Sequence, residues 1–316
     1  MIEQFKQDVL DGLSLSPQKT IPSKYFYDRR GDELFVQIMS LPEYYLTRAE
    51  MEIFTDKTDE LIAALHLERS RPCEVVELGP GDGVKTLELL RAMIAEDYRF
   101  VYVPIDISQT ALDGWQKSLK LKLPSLTVIP KVNDYFSALH ELNQDEIPKI
   151  ILFLGSNIGN LSDRQAANFF SQLGANLRRG DRILLGVDLI KPKEIVLPAY
   201  DDPQGITREF NLNLLDRINR ELGGNFDRNQ FEHVAEYEEA EGIARSYLRS
   251  KIKQSVTIES LNATFHFEAG ETIHTEISRK YNDEILHGIL AGTDLTIESK
   301  ISDSNSLFAD YILLRN

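Results

Sequence analysis

The stretch Glu77-Leu78-Gly79-Pro80-Gly81-Asp82-Gly83-Val84-Lys85-Thr86 sets three glycines at alternating positions just after the apolar pair Val75-Val76. Glycine accepts positive φ and lets a ligand approach the backbone closely, so such a loop is either a ligand cradle or a plain turn. A dinucleotide fingerprint requires G-x-G-x-x-G. Gly79 and Gly81 fit that pattern, but Val84 stands at its third glycine. A P-loop requires Gly-Lys followed by Ser or Thr, and Val84 separates Gly83 from Lys85. The remaining pattern, E-x-G-x-G-x-G, suits the methionine and ribose portion of S-adenosylmethionine, which carries no phosphate. Downstream acids fit the same ligand. Asp106, in "VPIDIS", offers two acceptor oxygens to a pair of ribose hydroxyls. Asp134, in "VNDYF", is placed to accept from an adenine amino group, with Tyr135 against the ring. Taken singly, Asp106 reads equally as a helix cap and Asp134 as a turn residue.

These residues need strands to present them, and the sequence supplies the pattern. "CEVVEL", "RFVYVPIDI", "LTVIPKV", "KIILFLG" and "DRILLGVDL" are short apolar runs. Helical patterns such as "VKTLELLRAMIAE", "QTALDGWQKSLKLK" and "RQAANFFSQLGANL" lie between them. That alternation predicts a parallel sheet covered by helices. Its ligand would lie at the carboxyl ends of the strands, where the glycine loop, Asp106, Asp134 and "GSNIGN" all fall. After Ile190 the alternation stops. A helix at "REFNLNLLDRINREL" is followed by antiparallel strands through "QSVTIESLNATFHFEAGETIHTEISRKYN", turning at Ala269-Gly270. The chain closes with a helix at "DEILHGILAG" and two strands, "LTIESKI" and "LFADYILLRN". That ending is usual for the S-adenosylmethionine-dependent methyltransferase fold. The predicted class is therefore α/β, a Rossmann-like class I methyltransferase domain over 60–194 plus 279–316. A second, smaller α+β substrate domain takes 1–59 plus 195–278. In the N-terminal part, Leu34, Phe35 and Ile38 have helical spacing, Pro42 ends that helix, and Thr47 with Glu50 reads as a capping box for the next.

The bulk numbers bound the partners. With 316 residues, 42% hydrophobic and 27% charged, the composition is that of a globular protein of about two domains. Asp and Glu number 50 against 35 Lys and Arg, a net charge of −15 that repels phosphate backbones and argues against nucleic acid. The one cysteine, Cys73, allows no internal disulfide and no cysteine-rich zinc cage. "MIEQFKQDVL" has neither the basic nor the apolar region of a signal peptide, and no apolar run approaches the roughly 18 residues of a membrane span. The expectation is a cytoplasmic monomer with a small-molecule substrate, no membrane and no metal.

Longer motifs sharpen the reading. "KYFYDRRGDELFVQIMSLPEYYLTRAE", "FLGSNIGNL", "AYDDPQGITREFN" and "HTEISRKY" resemble the histidine-specific Nα-methyltransferase family of ergothioneine biosynthesis, and the match spans nearly the whole chain. The resemblance implies S-adenosyl-L-methionine as methyl donor and trimethylation of the α-amine of histidine to hercynine. By motif position it implies that Tyr44 and Asn160 hold the substrate's amine and carboxylate region, and that Tyr200 contacts the carboxylate. Glu276 and Ser278 would grip the imidazole, with Tyr27 near the reacting amine. Gly79, Lys85, Asp106 and Asp134 would serve the donor. Physics agrees with the imidazole grip. Residues two apart on a strand share a face, and a carboxylate with a hydroxyl can satisfy both ring nitrogens. Two positions depart from the family. Its glycine loop usually carries small hydroxyl residues and a Glu before Lys-Thr, where this chain has Pro80-Gly81-Asp82-Gly83-Val84. Where the family usually places a Met against the substrate, this chain has Ser246, which widens the pocket. Two other readings compete: a methyltransferase for another small amine or amino acid, and a non-catalytic protein that only binds the donor.

Overall fold

In the computed structural model, which describes residues 2–142 and 146–316, the chain forms two compact units. The larger comprises Leu46–Ile190 and Lys280–Asn316. The smaller comprises Met1–Tyr45 and Lys191–Arg279.

The larger unit is built on a seven-stranded sheet. Its spatial order is Leu295–Ser302, Phe308–Arg315, Arg182–Asp188, Lys149–Phe153, Cys73–Leu78, Phe100–Asp106 and Lys131–Val132. The five strands from Arg182–Asp188 to Lys131–Val132 run parallel, and Phe308–Arg315 joins antiparallel to Arg182–Asp188. The central strands read as unbroken apolar runs because helices cover both faces. Every residue of Cys73–Leu78 and of Lys149–Phe153 is buried. The fold is thus the α/β Rossmann-like arrangement of class I methyltransferases. "LTVIPKV" is a much shorter strand than its composition suggests. Pro130 has no amide to give the ladder, and only Lys131–Val132 pairs as a strand, with Val128 making an isolated bridge to Tyr102. The helix Leu46–Asp56 belongs to this unit, although the sequence placed everything before residue 60 in the other. Its Ile53 and Phe54 are fully buried in one cluster with Leu61, Val75 and Leu90. Thr47 does not begin that helix, which starts at Leu46.

The smaller unit contains a four-stranded sheet in the order Lys19–Thr20, Thr272–Arg279, Ile243–Ser250, Phe231–Glu238, and a separate hairpin of Gln254–Ile258 with Ala263–Phe267. The helix Ile206–Leu222 packs on this sheet. Its Phe210, Leu214 and Ile218 share a core with Leu248, Ile273 and the N-terminal Phe5, Val9 and Phe26. Asp202 starts the helix by accepting the amides of Ile206 and Thr207 at 3.0 and 2.7 Å, satisfying donors that a helix start leaves open. The helix Arg29–Met39 is capped by Asp28, whose side chain accepts from Gly31 N at 2.7 Å.

Candidate active site

In the larger unit the glycine loop leaves Leu78 and enters the helix Val84–Ala95 at Gly83. Gly79, Gly81 and Gly83 all have left-handed backbones, with φ of +69°, +58° and +65°. Two of the three have no room for a side chain: a Cβ on Gly79 would lie 2.6 Å from the Tyr135 hydroxyl, and one on Gly83 would overlap the Trp115 indole. Tyr135 therefore lies against the loop. Burial, then the charges of Asp106 and Glu77, push its phenol up to about 12. The structure thus brings Gly79, Asp106 and Tyr135 together. Asp106 accepts the Ser108 amide at 2.8 Å on one carboxylate oxygen, and its second oxygen adds acceptor capacity suited to a diol. Asp134 is exposed, and hydrogen bonds from Ser137, its side chain first and then its amide at 3.0 Å, hold the carboxyl below the usual range. It thereby does the turn work that its sequence position also allowed. Asn160 ends the short turn Asn157–Asn160. It does not cap the following helix, because Ser162 and Gln165 form a full capping box there.

The smaller unit holds the other candidates. Tyr27 follows the turn Ser23–Phe26, and its carbonyl is fixed by Arg217 Nη1 at 3.1 Å. Its ring meets Phe35 and Phe210 edge-on at 5.5 and 5.6 Å, and Phe35 meets Tyr44 at 6.1 Å. As a residue Tyr27 is 42% exposed, yet much protein surrounds its ring. That burial, followed by the charges of Glu276 and Asp32, raises the phenol well above its ordinary value. Tyr27 is a neutral phenol, near Glu276 and Tyr200, with none of the acidity a resident base requires. On the strand Thr272–Arg279, Ser278 Oγ accepts from the Tyr200 hydroxyl at 2.7 Å. A hydroxyl that accepts in this way can still donate its own proton. Glu276 stands opposite Ser246, and Ser278 opposite Ala244, so Glu276 and Ser278 share a face. Thr275 ties the strand to the helix above it, donating to Asn211 Oδ1 at 3.1 Å. Tyr27, Tyr44, Tyr200, Glu276 and Ser278 therefore belong to one unit, while Asn160 and the donor-side residues belong to the other.

A model of the histidine-specific, S-adenosylmethionine-dependent methyltransferases matches residues 5–315. The histidine N-alpha-methyltransferase of Mycobacterium tuberculosis (strain CDC 1551 / Oshkosh) is 38% identical over 92% of this chain and 88% of its own length. The protein of the same name from Mycolicibacterium smegmatis is 37% identical over 93% of this chain and 89% of its own. Ergothioneine biosynthesis protein 1 of Schizosaccharomyces pombe is 30% identical over 93% of this chain but only 39% of its own length. The chain belongs to the histidine-specific methyltransferase family.

In this methyltransferase, the sequence reading missed several groups around the glycine loop. Glu77, the first residue of the motif, is 2% exposed. It accepts from Thr86 Oγ1 at 2.6 Å and from the Tyr102 hydroxyl, which in turn accepts from Trp115 Nε1 at 3.0 Å. Burial raises its carboxyl to about 7 in spite of those bonds. Lys85 is not an open cation beside the loop. It is ion-paired with Glu50 and mostly buried. Burial alone would lower its pKa, but the charges of Glu50, then Asp310 and Glu77, hold it above the usual value. Glu50 was read as half of a capping box; its carboxylate instead accepts the Gly155 amide at 2.8 and 3.1 Å and pairs with Lys85. The one available signal was an acid inside an apolar setting, which also applies to Asp310 in "FADYILL". Ser246 is 1% exposed, and its hydroxyl finds no hydrogen-bond partner.

Proposed function

We infer that this chain transfers methyl groups from S-adenosyl-L-methionine to the α-amine of L-histidine, three in succession, giving hercynine. The match to the family over residues 5–315 carries this reading. The acceptor set supports it chemically. Glu276 accepts from one imidazole nitrogen and the Ser278 hydroxyl serves the other, with Tyr200 fixing the serine. By motif position Tyr200 is assigned to the substrate carboxylate, and Tyr44 and Asn160 to its amine and carboxylate region.

On the donor side, the residues present suit the proposed ligand. Gly79 and Gly81 leave backbone bare, Asp106 presents an acceptor pair for ribose hydroxyls, Tyr135 supplies a ring beside the loop, and Lys85 supplies a cation for the amino-acid carboxylate. Asp134 serves the adenine end. Bound there, S-adenosylmethionine supplies an electrophilic methyl group.

The amine must be neutral to attack, and the amine of a free amino acid is mostly protonated at neutral pH. Tyr27 orients it by hydrogen bonding. As a neutral phenol held above its ordinary pKa, Tyr27 accepts or donates a hydrogen bond without keeping the proton, which leaves through solvent. Rate then comes chiefly from positioning. Each transfer to the neutral amine gives an ammonium of charge +1. The first two lose a proton before the next transfer, the third leaves a fixed quaternary charge, and the rings of Tyr27, Phe35 and Tyr44 favour such a cation.

The test is mass spectrometry of purified protein incubated with S-adenosylmethionine and each common amino acid in turn. A histidine product carrying three added methyls is expected. Methylation of another amino acid and not histidine would keep the donor chemistry and remove the imidazole grip.

A further inference from the structure

Behind the glycine loop the larger unit buries a group of charged side chains that the reading above uses only through Lys85. Glu50, 1% exposed on the helix Leu46–Asp56, joins two loops with one carboxylate. Both of its oxygens receive the Gly155 amide, at the carboxyl end of Lys149–Phe153, and Oε2 also receives Lys85 Nζ, just past the glycine loop. Gly155 itself has φ +72°, and a Cβ there would lie 3.6 Å from Lys85 Nζ. The ammonium is thus pinned beside a second bare turn of backbone.

The sheet beneath is shaped to admit Glu50. Gly186 sits inside the strand Arg182–Asp188, in register with Asp310 of the neighbouring strand. Glycine in such a place weakens a strand, and it marks close approach of another group. A Cβ at Gly186 would overlap Glu50 Oε1 and lie 3.2 Å from Asp310 Oδ1. Asp310 is fully buried and neither of its oxygens has a hydrogen-bond partner. Burial first, and then the charge of Glu50, push its carboxyl far above the usual range. Glu50 is the carboxylate that pairs directly with the Lys85 ammonium. Lysine is a strongly hydrated point charge on a flexible stem. It reaches a defined place only when something fixes its head.

We propose that Glu50 is a positioning residue for the methyl donor: it holds the Lys85 ammonium at the Gly155 turn so that the remaining ammonium hydrogens meet the donor's α-carboxylate. This rests on the donor-site reading given above. Glu50 touches neither donor nor histidine; it acts through Lys85 and the Gly155 loop.

The experiment is calorimetric titration of S-adenosylhomocysteine into the full-length protein and its Glu50→Gln and Glu50→Ala variants, with KM measured for each substrate. Glu50→Gln keeps an acceptor of the same shape and loses the charge, and should weaken binding about tenfold. Glu50→Ala should weaken it about a hundredfold, the range expected when a charge-assisted hydrogen bond is lost. The KM for S-adenosylmethionine should rise with it, and the KM for histidine should not move. A merely structural Glu50 would lower the melting temperature and depress both substrates alike. That outcome, or binding within twofold of wild type in folded variants, overturns the proposal. Should Glu50→Ala fail to fold, a cycle of Glu50→Gln with Lys85→Met decides: additive losses would break the link between the two residues, and strongly non-additive losses support it. Wild type that binds S-adenosylhomocysteine yet methylates no histidine would remove the substrate assignment and leave this proposal standing on its binding data. Wild type that does not bind it overturns the donor site and this proposal together.

Discussion

The larger unit collects its candidate residues in chain order from successive strand ends: Gly79, Asp106, Asp134 and Asn160 follow Cys73–Leu78, Phe100–Asp106, Lys131–Val132 and Lys149–Phe153. The smaller unit collects Tyr27, Tyr44, Tyr200, Glu276 and Ser278 from three remote stretches of chain, brought together by a helix and a sheet. In a parallel α/β sheet, topology itself gathers the strand ends, so ligand chemistry is written locally. In the smaller unit no local rule relates Tyr27 to Glu276, and only tertiary packing makes them neighbours. The proposed donor side is thus drawn mainly from strand ends and turns, with Lys85 held by Glu50, and the proposed acceptor side from side chains on remote stretches of chain.

That contrast predicts unequal damage from single substitutions. Glu276→Ala should have the largest effect. A site built to hydrogen-bond a substrate N–H rejects poorly matched partners by several orders of magnitude, and histidine methylation should fall roughly a thousandfold. Calorimetry with S-adenosylhomocysteine should show donor affinity unchanged, because Glu276 lies in the other unit. Loss of donor binding in this variant would end the division of labour drawn here.

Next in size is a pH effect confined to the donor side. The Glu77 carboxyl is raised to about 7 in the folded protein against an ordinary value near 4.5. A raised acid favours the folded state while it is protonated. Its contribution is therefore complete below about pH 4.5 and is lost as pH rises through about 7, a decline of about 3 kcal/mol. Unfolding free energies measured across that window should slope downward more steeply in wild type than in Glu77→Gln, which cannot ionise. Parallel curves would show that the hydroxyls of Thr86 and Tyr102 keep Glu77 charged throughout.

The same contrast explains what could be read from the sequence. The strands of the large sheet and most of the helices between them are visible as apolar runs and helical spacing, the central strands because burial on both faces leaves no alternation to decode, while the helix Tyr135–Leu142 was not read. Pro130 cut the seventh short. In the smaller unit, Phe231–Glu238 and Ile243–Ser250 escaped. Glu232, Glu236 and Glu238 crowd the outer face, and the inner face carries His233, Ala235 and Ser246 in place of the branched apolar residues that announce a strand. The proposed donor residues Gly79, Asp106 and Tyr135 were read from position at strand ends. Glu50 was not, since its partners Lys85 and Gly155 are distant in sequence. The acceptor residues rested on resemblance to a family, for the physical reason that no short-range pattern encodes them.

Tyr27→Phe tests the acceptor side more gently. The edge-on ring contacts with Phe35 and Phe210 need no hydroxyl, so folding and the apolar wall should survive. What is lost is the hydrogen bond proposed to orient the amine, and misplacement of a reacting group costs up to about a hundredfold. Single-turnover rates for each successive methyl should fall by about 10- to 100-fold, with little change in the KM for histidine. An unchanged rate would remove Tyr27 from the chemistry and leave it as part of the wall.

The smallest effect concerns the side-chain end of the acceptor. Ser246 faces Glu276 across the strands Ile243–Ser250 and Thr272–Arg279, and its buried hydroxyl has no partner. A larger residue here would add volume beside the proposed imidazole grip. A thioether chain is flexible enough to fill an irregular gap with modest strain, so Ser246→Met should keep histidine turnover within about threefold. Turnover of amino acids with larger side chains, measured in the same competition assay, should fall by about tenfold, since the loss of favourable fit for a methylene or two is worth roughly that much. An equal fall for histidine would mean that the space at Ser246 is already needed by the imidazole. The acceptor side would then be as tightly built around one substrate as the glycine loop is around its turn.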